Sequence, residues 1–427
     1  MPLFTQEELS YGGDCSCGQR HLVSIQRIIL EENLLPQVGG LLAGLGFTGC
    51  GFLVADSNTY TVAGKYVFQS LKDAGFPMEM LVFDQSRKVY PTAEYLVDIF
   101  DQVPLKAQFL VAVGSGTISD LVKFVAGKIR MPYVMVPTAP SMDGYACGVA
   151  ALIRRGVRKS SYGLPAPRVI MADLEVLRDA PSEMIAAGIA DLLGKFTSLA
   201  DWQLAHCITG ESVCSRAYTL TREAVSLCLQ VDWARDLRTV EGIRVLTEGL
   251  LKSGIAMLLA GTSRPASGSE HAIGHVLEMM EFEAGEPRLL HGLRIALTLP
   301  VSLELYRSFL SLSPRDLPKE PALWQPEVSW GSVTRYQDPE LRHIQFQRLK
   351  EALPWLQREI GSWLPDPEQV RRVLAAINAP SSLEDYGISR EDFHRAVRQA
   401  TVVRERYTVL DALADVGMLD SAVERLF

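Results

Sequence analysis

Short apolar runs alternate with amphipathic stretches along the N-terminal part of the chain. From Phe52 onward the runs FLVAD, MEMLVFD, AQFLVAV and YVMVP are separated by TVAGKYVFQSLKDAG, TAEYLVDIFDQV and TISDLVKFVAGKI, whose apolar residues recur at helical spacing. This alternation predicts βαβ units, and therefore a Rossmann-like parallel sheet with helices on both faces. Ligands of such sheets bind beyond the carboxyl ends of the strands, so the residues that follow each run are the informative ones.

Residues 38–55, VGGLLAGLGFTGCGFLVA, form an apolar stretch long enough to suggest a membrane span. The stretch contains six glycines and is followed by the turn-forming sequence DSNT. Glycines in these numbers favour a buried helix, a turn and a core strand. We therefore expect no membrane span here.

The hydrophobic pattern changes to long helices from Pro181 onward, beginning with PSEMIAAGIADLLGKFTSLADW. We therefore predict an α/β dinucleotide-binding domain over residues 1–180 and an all-α metal- and substrate-binding domain over 181–427. Residues 309–340 are rich in Pro and Trp and predict an insertion between helices. Such an insertion could cap a cleft or lie in an oligomer interface.

Composition limits the kinds of molecule that the chain is expected to bind. The 427 residues carry a formal net charge of -8, which argues against a nucleic-acid or anionic-membrane surface. The seven cysteines and a start, MPLFTQEELS, without the pattern of a signal peptide predict reduced thiols and a cytoplasmic location. Cys15, Cys17 and His21 could form part of a second metal site, although C-x-C lacks the usual two-residue spacing.

Two predicted strands are followed by residues that could hold a dinucleotide. After AQFLVAV, Gly114 and Gly116 would let the backbone approach a phosphate, while Thr117 opens a helix whose amides face it. The pattern is not the six-residue dinucleotide fingerprint, so a plain glycine turn is the alternative. Asp56, after FLVAD, could bind ribose hydroxyls, or it could be an ordinary N-cap.

Two further carboxylates stand in unusual settings. Asp143 lies in the turn TAPSMDGYAC after a fully apolar strand, where an Asx turn is the simpler explanation. Asp191 lies on a largely apolar helix surface, where burial costs several kcal/mol unless the carboxylate is paired or ligated. Lys195, four residues later, could compensate it, and a metal ion could do the same.

The histidines suggest a metal site in more than one way. His271 and His275, at i and i+4, share one helix face, and spacing alone nominates this pair as ligands. The segment SEHAIGH lacks the glutamate inside the pair that zinc protease helices carry, so ordinary core or surface histidines are the alternative. His291 and Asp191 favour a metal, because catalytic zinc takes three N or O ligands and keeps one position open.

Five ordered motifs together resemble the sn-glycerol-1-phosphate dehydrogenases, in particular their bacterial AraM-type branch. These motifs are VAVGSGTISDLVK, VPTAPSMDGYA, AAGIADLLGKFTSLADW, SRPASGSEHAIGH and LLHGLRIAL. The group belongs to the superfamily of iron-dependent alcohol dehydrogenases, glycerol dehydrogenases and dehydroquinate synthases. The resemblance implies a dehydroquinate synthase-like fold, in which the Rossmann-like domain is followed by an all-α metal-binding domain.

The resemblance also implies roles for individual residues. It assigns one divalent ion, zinc or nickel, to Asp191, His271 and His291, which makes His275 a neighbour of the reacting centre and a candidate proton relay. Asp56 falls where the family contacts the adenosine ribose. The implied contacts of NAD(H) or NADP(H) are Gly114, Ser115, Gly116, Thr117, Asp120, Thr138 and Ser141, with Asp143 as a further contact on the substrate side and a second candidate for proton transfer.

The implied reaction is the reversible reduction of dihydroxyacetone phosphate to sn-glycerol 1-phosphate by NAD(P)H, a step of phospholipid metabolism. A cation must then meet the substrate phosphate, and Arg264 is preferred over Lys195 because a guanidinium can grip phosphate with two bonds. Pairing with Asp191 is the alternative for Lys195, and a solvated loop position is the alternative for Arg264. A homodimer is the default assembly.

Two other functions remain open. A polyol dehydrogenase acting on an unphosphorylated alcohol, or a cyclase that uses NAD transiently, would use the same superfamily scaffold. A catalytically inactive nucleotide binder or scaffold is disfavoured, because Asp191, His271 and His291 are all present.

Overall fold

The structure is a computed structural model that describes residues 12–15, 17–18, 20–84, 88–154, 157–161, 163–285, 289–315, 317–326 and 334–426. Its strands, in chain order, are β1 Gly12–Asp14, β2 Arg20–Leu22, β3 Arg27–Glu31, β4 Cys50–Asp56, β5 Met78–Phe83, β6 Ala107–Gly114, β7 Tyr133–Pro137, β8 Ala150–Arg154, β9 Val157–Ser161 and β10 Val169–Asp173.

Six of these strands form one sheet in the order β3-β10-β7-β6-β4-β5, and every neighbouring pair is parallel. The strands β4, β6, β7 and β10 are apolar and almost wholly buried, as parallel strands covered on both faces must be. Two antiparallel hairpins, β1-β2 and β8-β9, lie outside this sheet.

The α-helices alternate with the strands at first and then follow one another. They are α1 Val38–Gly44, α2 Lys65–Asp73 (preceded by the turn Ser57–Thr59 and the π-helix Tyr60–Gly64), α3 Ala93–Gln102, α4 Gly116–Ile129, α5 Leu174–Arg178, α6 Ser182–Leu193, α7 Lys195–Thr209, α8 Ser215–Gln230, α9 Trp233–Asp236, α10 Val240–Ala260, α11 Ser269–Ala284, α12 His291–Leu310, α13 Thr334–Gln337, α14 Pro339–Gly361, α15 Pro367–Ala376, α16 Arg390–Ala400, α17 Val409–Asp415 and α18 Leu419–Glu424.

The chain divides into two compact units. The first consists of Met1–Ile189 and Gln230–Ser263, and the second of Ala190–Leu229 and Arg264–Phe427. Helix α10 therefore belongs to the first unit, where it packs against α5 and β2. The domain boundary at residue 180 stays a prediction.

The predicted fold class is confirmed. The apolar runs after Phe52 are β4, β5, β6 and β7, and the stretches between them are helical. Residues 38–55 form α1, a turn and most of β4, as expected from their glycines. Among the described residues, no helix is both long and apolar enough to cross a membrane.

The predicted insertion at residues 309–340 lies partly outside the described residues, namely at 316 and 327–333. In the described part, Trp324 is buried, and its Nε1 donates a hydrogen bond to Oγ1 of Thr401 across 3.3 Å. The guanidinium of Arg398 lies over the same indole ring. Residues around Trp324 thus pack against the C-terminal helices of the second unit, and the function of the insertion stays a prediction.

Candidate active site

Three side chains of the second unit bring metal-binding atoms together. Asp191 lies near the end of α6, His271 in the first turn of α11, and His291 at the first position of α12. One ligand atom from each lies within 4.8 Å of the other two. Nε2 of His271 lies 3.3 Å from Oδ1 of Asp191. Ligand atoms at about 2.0–2.1 Å from a tetrahedral ion are about 3.3 Å apart, so this spacing suits a bound divalent ion.

Glu270 sets the orientation of the His271 ring. The Nδ1 of His271 lies 2.5 Å from Oε1 of Glu270, which also accepts from the Ser198 hydroxyl and the Gly268 amide. With its proton on Nδ1, His271 presents the lone pair of Nε2 toward Asp191. Two acceptors face each other there, which is the arrangement that a cation between them stabilises. A carboxylate behind a ligating histidine is a common feature of protein metal sites.

Glu270 is ionised although its side chain is completely buried. Burial opposes its ionisation, but the hydrogen bond from His271 and the hydroxyl of Thr197, 2.5 Å from Oε2, lower the pKa of Glu270 to about 2. The carboxylate is therefore anionic throughout the physiological pH range and strengthens His271 as an electron donor.

Asp191 is likewise held in its ionised form. Its Oδ1 accepts a hydrogen bond from Nζ of Lys195 at 2.6 Å, and both side chains are fully buried. Burial alone would raise the pKa of Asp191, but the Lys195 ammonium outweighs it and holds the pKa far below its usual range. Lys195 also donates to the carbonyl of Ala266. The structure therefore shows the Lys195–Asp191 pair that was the alternative to a phosphate contact.

His275 lies beside the donor set rather than in it. Its ring centroid is 5.9 Å from that of His271 and 5.6 Å from that of His291. Its Nδ1 lies 3.0 Å from a guanidinium nitrogen of Arg404, which also donates to the hydroxyl of Ser267 at 2.7 Å. Because a guanidinium can only donate, Nδ1 of His275 accepts, and a neutral ring carries its proton on Nε2.

Asp201, on α7, connects the site to neighbouring helices. Its carboxylate accepts from the Ser269 amide at 2.6 Å, the Val409 amide at 2.8 Å and the Tyr306 hydroxyl at 2.6 Å. Burial and the nearby charge of Glu270 raise the pKa of Asp201 to about 7. The N-termini of α11 and α17 are thus tied to one carboxyl group whose charge changes near neutral pH.

Arg264 is not a solvated loop residue. Only 1% of it is exposed, and its guanidinium donates to both carboxylate oxygens of Glu211 at 2.7–3.0 Å and to the carbonyl of Tyr407. Glu211 and Tyr407 thus engage Nε and Nη2, whereas Nη1 is buried without a hydrogen-bond partner among the described residues. Burial and the Glu211 counter-ion disfavour the predicted phosphate contact, which stays a prediction.

In the first unit, the glycine-rich stretch has the predicted local structure. Gly114 ends β6, Ser115 is the N-cap, and Gly116 begins α4, with Ser115, Gly116 and Thr117 partly exposed. Asp120, one turn into the helix, accepts from the Ala151 amide and pairs with Lys123. The carboxylate of Asp120 thus already makes structural contacts. Its predicted contact with the cofactor stays a prediction.

The turn after β7 is held by a lysine that the sequence motifs did not single out. Nζ of the buried Lys123 donates to the carbonyls of Gly144 and Val149 at 2.6 and 2.9 Å, so α4 is bonded to this turn. Within the turn, Thr138 and Ser141 are mostly buried, and Asp143 accepts from the Ser253 hydroxyl at 2.7 Å. The turn is therefore fixed from two helices of its own unit.

Asp56 is an N-cap, which the sequence analysis gave as the alternative to a ribose contact. Its Oδ1 accepts from the Thr59 amide at 2.9 Å, while the Thr59 hydroxyl accepts from the Asp56 amide. The position at the carboxyl end of β4 is the one predicted for a ribose contact, which itself stays a prediction.

Three residues with clear structural roles escaped the sequence reasoning: Glu270, Arg404 and Lys123. Glu270 carried a local signal, since it directly precedes a candidate ligand on a mostly apolar helix. Lys123 carried a weaker one, as a lysine on a largely buried helix. Arg404 had none, because it lies 129 positions from His275 in sequence.

Comparison with known proteins finds chains of similar sequence and similar fold. Residues 29–181 match the family model described as iron-containing alcohol dehydrogenase. The maleylacetate reductase of Agrobacterium tumefaciens has a similar fold, with a TM-score of 0.65 over 95% of this chain and 97% of that one, at 15% identity. The glycerol dehydrogenase of Schizosaccharomyces pombe gives 0.61 over 94% and 90%, at 16% identity. Residues 29–181 and the fold are thus similar to those of iron-containing alcohol dehydrogenases and related reductases.

Sequence relatives identify the family within that class. The glycerol-1-phosphate dehydrogenase (NAD(P)+) of Geobacillus stearothermophilus is 32% identical over 411 residues, which cover 95% of this chain and 96% of that one. The protein of the same name from Methanosarcina barkeri is 27% identical over 93% of each chain. The chain belongs to the glycerol-1-phosphate dehydrogenase family.

Proposed function

We propose that this chain catalyses the reversible reduction of dihydroxyacetone phosphate to sn-glycerol 1-phosphate with NADH or NADPH, using a divalent metal ion held by Asp191, His271 and His291. The observation that carries the proposal is the convergence of these three donors, of which Asp191 and His271 are buried, with Glu270 behind His271. The names of the 32%-identical relatives support the substrate and the cofactor.

The donors fit the proposed ion. Two imidazoles and one carboxylate suit zinc and nickel alike, so the donor set leaves both as candidates. A bound divalent ion supplies Lewis-acid polarisation of the C2 carbonyl, and a bound nicotinamide supplies the hydride. Lys195 keeps Asp191 anionic, and Glu270 holds the Nδ1 proton of a neutral His271 ring so that Nε2 faces Asp191. These residues thus orient the donor atoms for the ion.

His275 is the proposed relay of a proton to the C2 oxygen. Because Arg404 donates to Nδ1, a neutral ring carries its proton on Nε2, where it can donate a hydrogen bond to the C2 oxygen or to a water that carries the proton. Asp143 remains the second candidate for this step.

Arg404 is also the proposed contact of the substrate phosphate, in place of Arg264 and Lys195. Arg404 is partly exposed, whereas Arg264 and Lys195 are buried in ion pairs. A planar guanidinium can grip phosphate oxygens with two parallel bonds. Because Arg404 also contacts Ser267 and His275, phosphate binding there would be coupled to the orientation of the His275 ring.

The proposed dinucleotide site consists of the N-terminus of α4 and the turn after β7. The partly exposed residues Ser115, Gly116 and Thr117 stand at the start of a helix of 14 residues, where a diphosphate is favoured by the helix dipole. Thr138 and Ser141 are the proposed contacts near the nicotinamide. Asp56 would repel a 2′-phosphate, which favours NADH over NADPH.

The broader setting also remains a proposal. A cytoplasmic homodimer that supplies sn-glycerol 1-phosphate to phospholipid metabolism is the simplest context for this activity. The net charge of -8 agrees with a small-molecule partner rather than nucleic acid.

The decisive assay follows nicotinamide absorbance while crossing dihydroxyacetone phosphate and dihydroxyacetone with NADH and NADPH. We expect turnover of the phosphorylated ketone, its loss on chelation, and its return with zinc or nickel. Faster turnover of dihydroxyacetone would instead indicate a polyol dehydrogenase. His271→Ala should lose turnover and the ion held with Asp191 and His291, while His343→Ala, at an exposed histidine paired with Glu320, should keep both.

A further inference from the structure

The first described hairpin places two cysteines and a histidine at one point. Strands β1 and β2 pair antiparallel, with Gly13 opposite His21, and Cys15 and Cys17 lie in the connection between them. The amide of Gly18 donates to the carbonyl of Cys15 across 2.9 Å, and Gly18 has a φ of 79°, in the left-handed region. This turn compensates for the short C-x-C spacing, because it folds both thiols back toward the returning strand.

The three side chains offer their donor atoms within the reach of one ion. One ligand atom from each of Cys15, Cys17 and His21 lies within 4.8 Å of the others. The sulfur of Cys17 lies 3.2 Å from Nε2 of His21. Around a tetrahedral zinc, with Zn–S of about 2.3 Å and Zn–N of about 2.0–2.1 Å, sulfur and nitrogen are about 3.5 Å apart. Small side-chain adjustments therefore suffice to coordinate zinc.

The hairpin is short, and its returning strand β2 packs against α10. Its strands have three residues each, and two-stranded hairpins are marginally stable in water. The His21 side chain is nevertheless buried, with 4% exposed. Coordination would tie the turn to the returning strand, as metal ions do in small domains with little hydrophobic core.

We propose that the thiolates of Cys15 and Cys17 and Nε2 of His21 bind a structural zinc ion, with water or a further side chain completing the coordination. Two thiolates balance the charge of Zn²⁺, and each thiol releases one proton to solvent as it binds. Sulfur and imidazole donors favour zinc over magnesium or calcium. The site is chemically distinct from Asp191, His271 and His291, which contain no sulfur, and its existence does not depend on the proposed reaction.

Cobalt provides the direct test, because thiolate ligands give Co²⁺ a near-ultraviolet charge-transfer band that oxygen and nitrogen ligands do not. The full-length protein is stripped with a chelator and reconstituted with cobalt chloride. We expect the band in the wild type and in the control Cys207→Ser, and its loss in Cys15→Ser/Cys17→Ser. Cys207 is a matched control because it is also partly buried and is also a free thiol. A wild-type protein without the band contradicts the proposal.

Metal analysis separates this site from the proposed catalytic one. Zinc-loaded Cys15→Ser/Cys17→Ser should hold about one equivalent less zinc than the wild type, and His271→Ala should retain its sulfur-bound zinc while losing activity. Unchanged zinc in the double variant, or a Cys15–Cys17 disulfide without zinc in anaerobically purified protein, overturns the proposal. If the double variant does not fold, X-ray absorption of zinc-loaded His271→Ala decides, since at least two sulfur neighbours are expected and none contradicts the site.

Discussion

Glu270 and His271 are adjacent in sequence, and their side chains meet across 2.5 Å, so that the carboxylate holds Nδ1 and leaves Nε2 facing Asp191. Replacing Glu270 with Gln keeps the shape but removes the charge that strengthens His271 as a ligand. We expect metal affinity to fall about 10- to 100-fold. Competition with a chelator measures the affinity, and excess metal should restore most of kcat.

A matched control is available on the same helix. Glu278→Gln makes the same chemical change at a buried carboxylate, which pairs with Arg294. This variant should keep wild-type metal affinity even if its Tm falls. Equal loss of affinity in both variants would show that Glu270 acts only through the general stability of α11.

Arg404→Ala should raise the KM for dihydroxyacetone phosphate on the order of 10- to 100-fold, the usual value of a hydrogen bond to a charged group. The KM for NADH should change little. Arg264→Ala is the comparison, since it removes a buried guanidinium paired with Glu211. Arg264→Ala should lower Tm without selectively raising the KM for the phosphorylated ketone. A selective rise in that KM would indicate that Arg264 contacts the substrate phosphate.

Asp201 should make stability depend on pH in a defined direction. Its pKa is about 7 when folded and near 3.8 when unfolded, so between these values the folded chain retains a proton that the unfolded chain has released. The contribution of Asp201 to the free energy of unfolding therefore declines as pH rises from about 4 to 7. Above pH 7 the whole cost of burying the ionised carboxylate is present.

Thermal unfolding of metal-free Asp201→Asn across this range checks the sign. The variant loses hydrogen bonds and should be less stable at pH 4, but its deficit relative to the wild type should shrink toward pH 8. Asp101→Asn, at an exposed carboxyl group, is the control and should give a constant difference. A deficit of Asp201→Asn that does not change with pH contradicts the assignment.

Gly254 permits α10 to approach the turn that carries Asp143. A Cβ at Gly254 would lie 2.6 Å from the carbonyl oxygen of Asp143, which is backbone and cannot easily move aside. Gly254→Ala should therefore cost about 1–3 kcal/mol and raise the KM for the nicotinamide cofactor. Gly40→Ala, in α1 with open space around the new methyl group, should instead stabilise by about 0.5–1 kcal/mol. Calorimetry and cofactor titration measure both effects.

Local patterns sufficed for four of the six strands of the sheet, β4 to β7, and for the positions at its edge, but did not single out β3 or β10. Buried parallel strands must be continuously apolar, and the apolar residues of amphipathic helices must recur every three to four positions. Both patterns can therefore be recognised within a short segment of sequence. The glycines after β6 and Asp56 after β4 were found for this reason. The edge strand β3 and the hairpin β1-β2 escaped, because short strands with mixed polarity carry little periodic signal.

The site shows where local pattern fails. Helical spacing alone nominates His271 with His275, but the structure groups His271 with His291 and Asp191, whose positions depend on how α6, α11 and α12 pack. The family resemblance supplied that grouping, and periodicity did not. The burial of Arg264 against Glu211 and the approach of Arg404 to His275 likewise follow only from the fold.

The sequence by itself thus determined the α/β and helical halves and the residue types available for catalysis, because helix and strand periodicity act between near neighbours. Only the tertiary structure decided which histidine faces Asp191, which arginine forms a buried internal ion pair, and which carboxylate orients a metal-binding histidine. These outcomes depend on contacts between residues far apart in the chain, where a single shift in helix packing exchanges one partner for another.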